Sequence, residues 1–149
     1  MQVYHSAFSF SQKSGEGEEV PGLVVAQTLF KAIGESGNIV RPPEIWRDVG
    51  WMLDCKANGC EFQLHIAEWG RQSPQRILLA IEPQSQQSWL GRLFRRDDGG
   101  CAAESENLAR VVHDALSTLP GVEAIRWSIN AHPDKSPSAT PTPTPRRWQ

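Results

Sequence analysis

Along residues 2–10 the side chains alternate, with Tyr4, Phe8 and Phe10 on one parity and Val3, His5 and Ala7 on the other. A period of two is the mark of a strand. After the polar stretch Ser11–Glu19 the pattern changes. Pro21 suits a first helical turn, and Glu16, Glu18 and Glu19 suit the positive end of a helix dipole, so a helix is predicted from near Pro21 to about Gly34–Gly37. On a helical wheel Leu23, Val25, Ala26, Leu29, Phe30 and Ile33 cover more than half the circumference, leaving Gln27, Thr28 and Lys31 as a polar strip. Such a helix is buried on more than one side, by the core or by a partner.

Residues 50–69 predict a hairpin, because Asn58-Gly59 supplies two residues that tolerate the positive φ of a type I′ turn. A two-residue loop then sets the register: Ala57 faces Cys60, followed by Lys56–Glu61, Cys55–Phe62, Asp54–Gln63, Leu53–Leu64, Met52–His65 and Trp51–Ile66. Trp51, Leu53, Cys55, Phe62, Leu64 and Ile66 fall on one face. Lys56, Glu61, Asp54, Gln63 and His65 fall on the other, which describes a sheet with one covered and one wet side.

A further strand is predicted at Arg76–Glu82, stopped by Pro83, which has no N–H to give a ladder. Residues 105–119 read as an amphipathic helix, with Leu108, Val111, Val112, Ala115, Leu116 and Leu119 on one side and Glu106, Arg110, Asp114 and Ser117 on the other. Pro120-Gly121 ends it, and Val122–Ile129 reads as the last strand. The expected fold class is α+β: an antiparallel sheet of about five strands, built around a meander with the Asn58-Gly59 hairpin, with two main helices packed on one face. Residues 1–130 form one domain, and the Pro/Thr-rich residues 131–149 are expected to be a disordered tail.

The formal net charge of −2 changes this picture in one respect. Phosphate contacts call for a basic field, and residues 1–130 are the more acidic part, because the tail holds Lys135, Arg146 and Arg147 against Asp134. No nucleic-acid partner is expected. No apolar run of membrane-spanning length and no secretory leader pattern occur, so a cytoplasmic location is the expectation. Three cysteines, an odd count, suggest reduced thiols.

Cys55 and Cys60 with His65 nearby invite a zinc reading, but the hairpin register puts His65 on the opposite face and offers no second cysteine pair. The same register sets the two cysteines diagonally, a poor geometry for a bond between them. No metal or cofactor is expected. Cys101 is the candidate nucleophile, since it lies near the start of the last helix, where backbone N–H groups favour a thiolate. His113 sits about 18 Å further along that helix at 1.5 Å per residue, too far to activate it, which leaves His5, His65 and His132 as possible bases. His113 itself reads as part of a solvated polar face. Signatures for hydrolase, nucleotide and metalloprotease chemistry are absent from the sequence.

Residues 88–96 form a short amphipathic segment, with Trp89, Leu90, Leu93 and Phe94 on one side and Arg92, Arg95 and Arg96 on the other. So short a helix needs its apolar side covered by the body of the protein, by a partner, or, as the weakest option, by a membrane surface. The function expected is a non-enzymatic, cytoplasmic protein-binding module that contacts another protein or a second copy of itself. Its predicted contacts are the first helix and Trp89, Leu90, Arg92, Leu93 and Phe94. The architecture is similar to small bacterial interaction proteins such as immunity proteins and secretion chaperones, an analogy of fold class alone. The alternative is a small cysteine-dependent enzyme using Cys101.

Overall fold

The hairpin is set by a local turn. In a computed structural model that describes residues 3–11, 22–47, 49–69, 75–84, 99–129 and 141–142, Asn58 and Gly59 take φ of 47° and 83°. These are the two positive values that a type I′ turn requires. They join a strand at Gly50–Ala57 to one at Cys60–Glu68, with every pair from Ala57–Cys60 to Trp51–Ile66 in the register read from the sequence. Leu53, Cys55, Phe62, Leu64 and Ile66 are buried on one face, while Lys56 and Glu61 stand exposed on the other.

Among the described residues there are eight strands and two helices. In chain order they are β1 (Tyr4–Phe10), α1 (Leu23–Glu35), β2 (Ile39–Val40), β3 (Glu44–Trp46), β4 (Gly50–Ala57), β5 (Cys60–Glu68), β6 (Gln75–Gln84), α2 (Gly99–Thr118), β7 (Val122–Ile129) and β8 (Pro141–Thr142). They make one antiparallel sheet in the order β2-β4-β5-β6-β1-β7-β8, with β3 also pairing β4. Since β2 and β3 lie against opposite ends of β4, they occupy one position, and the sheet has seven positions rather than about five.

The additional strands are short and lie at the edges. Pro42-Pro43 separates β2 from β3, and proline on an edge blocks pairing with further chains. A two-residue β8 pairs Thr142 with Trp127 and Pro141 with Ser128, and the rest of the Pro/Thr-rich residues 131–149 lie outside the described residues. Strand β6 passes through Pro83 instead of stopping before it, with Pro83 opposite Phe62. The proline is tolerated because β1 has already ended there, its pairing with β6 reaching only Tyr4–Ile81.

Both helices lie on the same side of the sheet and pack against each other, α1 over β4 and β2, α2 over β6 and β7. The core between them is apolar, with Phe8, Leu29, Ile33, Leu53, Phe62, Leu64, Ile77, Leu79, Leu108 and Trp127 essentially dry. The broad apolar face of α1 is accounted for within the chain: Val25, Ala26, Leu29 and Ile33 are buried, and Val24, Phe30 and Ala32 pack partly against the same core. No acidic residue lies in its first turn. Helix α2 begins at Gly99, six residues ahead of the expected start. Its first two turns are fastened to the hairpin by a Cys60–Cys101 disulfide with a Cα separation of 5.7 Å and by Asn58 Nδ2 donating to Glu104 Oε1 at 2.8 Å.

Candidate functional site

Among the described residues the helices cover one face of the sheet, and the other face presents side chains held on rigid strands. The strand register lays that face out in rungs. Gly50, Ala67, Leu78 and Ala7 form one. Met52, His65, Ala80 and His5 form the next, and Asp54, Gln63 and Glu82 the third.

A trough of about 480 Å³ runs over these rungs, lined by Met52, Ala67, Leu78 and Ala80 together with His5, Gln63, His65 and Glu82, with His65 lying between Met52 and Ala80. Trp46 and Arg47 form its wall at the turn between β3 and β4. A second hollow continues the same face toward the hairpin tip, with Ile39, Arg41, Asp54, Lys56 and Glu61 around it.

The wall is held in a specific shape. Arg47 takes a φ of 51°, a left-handed conformation that costs a non-glycine residue energy and persists only where the surroundings enforce it. Val49 N–H closes the turn on the Trp46 carbonyl at 3.2 Å. Gly50 follows because nothing larger fits: a Cβ there would collide with the carbonyl oxygen of Ile66. This places the Trp46 ring against His65, centroids 4.7 Å apart and tilted by 53°, with the Arg47 guanidinium 5.4 Å from the Trp46 ring centre.

His65 is largely enclosed, its side chain 14% exposed. Its Nδ1 has no hydrogen-bond partner among the described residues, and its Nε2 lies 3.6 Å from Glu82 Oε2. Burial lowers its pKa below the ordinary 6.5, outweighing the opposite pull of Glu82 and Asp54, and the Arg47 charge pushes the same way as burial. His65 is therefore neutral at pH 7. At 3.6 Å the Glu82 carboxylate is beyond hydrogen-bond reach and does not orient the ring.

The residues singled out from the sequence have different fates. Trp89, Leu90, Arg92, Leu93 and Phe94 lie outside the described residues. Cys101 is bonded to Cys60, which corrects the reduced-thiol expectation and removes the sulfur as a nucleophile in this state. The two cysteines are 41 positions apart, and only the packing of α2 across the hairpin brings them together. Cys55 keeps a free thiol, buried in the core, and burial followed by the Asp54 charge pushes its pKa up to about 12, so it is an inert hydrophobe.

His113 is corrected too. It is buried rather than solvated, and its Nδ1 accepts a hydrogen bond from Trp127 Nε1 at 3.2 Å. Strand β7 supplies this partner, which the helix periodicity of residues 105–119 does not reveal. Among the described residues no group of three or more His, Cys, Asp or Glu side chains is placed to hold a metal ion, and no helix is long and apolar enough to cross a membrane. The trough itself was missed. Its signal was the mixed chemistry of the open parity, His5, Met52, His65 and Glu82 among them, which reads as ordinary wet surface until Trp46 and Arg47 are folded over it.

No protein-family model, no curated protein and no solved structure matches the chain.

Proposed function

We propose that the protein is a non-enzymatic binding module that holds a segment of another polypeptide in the trough on the open face of its sheet. The single observation that carries this reading is the trough itself: apolar side chains interspersed with histidines, a glutamine and a carboxylate on rigid strands, beside an aromatic wall, the composition of a recognition site. The apolar side chains supply contact area, Trp46 supplies a flat surface, and Gln63, His65 and Arg47 supply directional donors.

An enzymatic reading has less support, because no Ser, Thr, Cys or Tyr lines the trough among the described residues and His65 is not aligned by Glu82. The Cys60–Cys101 bond favours an oxidising compartment over the cytoplasm, where such bonds are kept reduced. The test is binding of a panel of extended peptides to the full chain, compared with the Ala80→Arg variant, whose long side chain fills the trough, and with Lys31→Glu on the exposed strip of α1. Binding falls at least about tenfold in Ala80→Arg, since buried anchors dominate recognition, and is unchanged in Lys31→Glu, with thermal unfolding confirming both folds. Binding that survives the filled trough overturns the proposal.

A further inference from the structure

We infer that Pro141-Thr142 is a one-sided edge cap: it closes the outer edge of β7 through Thr142 and presents proline to any chain that would extend the sheet.

Pairing fixes which of the two residues faces inward. Antiparallel partners alternate between pairs that exchange two N–H···O=C bonds and pairs that exchange none. Strand β8 sets Thr142 opposite Trp127 and Pro141 opposite Ser128. Proline has no N–H, so Ser128–Pro141 is the non-bonded pair and Trp127–Thr142 the bonded one. Thr142 N–H thus donates to the Trp127 carbonyl, and Trp127 N–H donates to the Thr142 carbonyl. Successive residues of a strand turn their backbone groups to opposite edges, so Pro141 faces outward, where it offers a carbonyl and no donor. In the sequence, Thr140, Thr142 and Thr144 share one parity and Pro141, Pro143 and Pro145 the other. Such an alternation collects donors on one edge and removes them from the opposite one.

The cap sits where the edge needs closing. Between the pairs Ala7–Arg126 and Ser9–Glu123, β7 carries one more residue than β1, and Ala124 there takes a φ of 55°. A bulge of this kind bends an edge strand away from further pairing. From Arg126 to Ile129 the register with β1 is unbroken. That regular stretch is the part of β7 suited to accept a further strand, and β8 lies on it at Trp127 and Ser128. The opposite border of the sheet carries Pro42-Pro43 between β2 and β3, so proline stands at both margins. Once uncapped, β7 takes a second copy of itself, antiparallel about a two-fold axis, since an isologous contact needs no other partner.

Full-length variants test this. Thr142→Pro removes the inward donor, and Thr142→Ser keeps it. At low protein concentration, amide hydrogen exchange at Trp127 quickens at least about tenfold in Thr142→Pro relative to the amides of β5, and stays slow in Thr142→Ser. Sedimentation then shows Thr142→Pro shifting toward a dimer as concentration rises. Pro141→Thr combined with Pro143→Thr leaves Thr142 in place and supplies outward donors: Trp127 stays protected, while self-association increases. A Trp127 amide that exchanges equally fast in the native chain and in Thr142→Pro overturns the cap. Association of both proline-site variants no stronger than that of the native chain overturns its blocking role.

Discussion

The two faces of this sheet are built from neighbouring residues of the same strands, yet they follow different rules. Leu64 is dry and belongs to the core cluster with Phe62 and Leu53, whereas His65, one residue on, lines the trough with a ring nitrogen that has no partner among the described residues. On the covered side the buried members from β4, β5 and β6 are apolar, and β1 adds one buried polar residue, Ser6, whose hydroxyl donates to the Arg126 carbonyl at 3.0 Å. The open side mixes His5, Met52, Gln63, His65, Leu78 and Glu82. The difference teaches where stability resides: helix burial demands apolar side chains at alternate positions, and the remaining positions are free to carry recognition chemistry.

The largest contrast is between adjacent residues of β5. Replacing Phe62 with Ala empties a closed site and is expected to cost about 3–5 kcal/mol, while Gln63→Ala on the open face costs under about 0.5 kcal/mol. Chemical denaturation of the two variants measures the gap, and comparable losses would mean that the open face is as tightly packed as the covered one.

The bond that fastens the helix layer to the hairpin comes next. Cys60→Ser is expected to lower stability by about 2–4 kcal/mol, the range for closing a loop of this length. Because Cys55 stays buried, the native protein shows no fast-reacting thiol, and the variant shows one, at Cys101. A thiol titration under native conditions checks this.

A smaller effect is expected for Trp127→Phe, which keeps most of the apolar volume but deprives His113 Nδ1 of its donor. The cost is about 1–3 kcal/mol, that of a buried acceptor left unsatisfied. Thermal unfolding should show a clear fall, and none at all would mean that water reaches His113.

The smallest effect tests the open face by pH. His65 has a folded-state pKa below its unfolded value near 6.5, so in acid the unfolded chain binds the proton more readily than the folded one. Stability is complete above that unfolded value and falls as pH drops through it toward the lowered folded pKa. His65→Gln is expected to flatten this part of the profile between pH 7.5 and pH 5. An unchanged slope would place the acid sensitivity in other groups.

Much of the covered face was legible because its determinants are local. Asn58-Gly59 sets the turn, the turn sets the register, and the register decides which side each residue faces. The periodicity of α1 and α2 located both helices, although α2 starts earlier because Gly99-Gly100 reads as a stop signal in the chain while the folded helix begins there. Short edge strands such as Ile39–Val40 and Glu44–Trp46 carry too few residues for a period to register, and their pairing with β4 depends on a neighbour that the local pattern does not name. His113 was misplaced for a related reason: helical spacing describes one helix, and Trp127 reaches it from another element.

By itself the chain determined the α+β class, the hairpin and its faces, and the helices that cover one of them, since these follow from period, turn chemistry and the need to bury apolar side chains. Tertiary structure alone decided that Cys60 meets Cys101, that His113 meets Trp127, and that Trp46 and Arg47 fold over His65 to close a trough. Each of those contacts joins residues that lie on different elements. No local spacing encodes such a meeting; it arises when the sheet order and the packing of the helices bring separate segments to the same place.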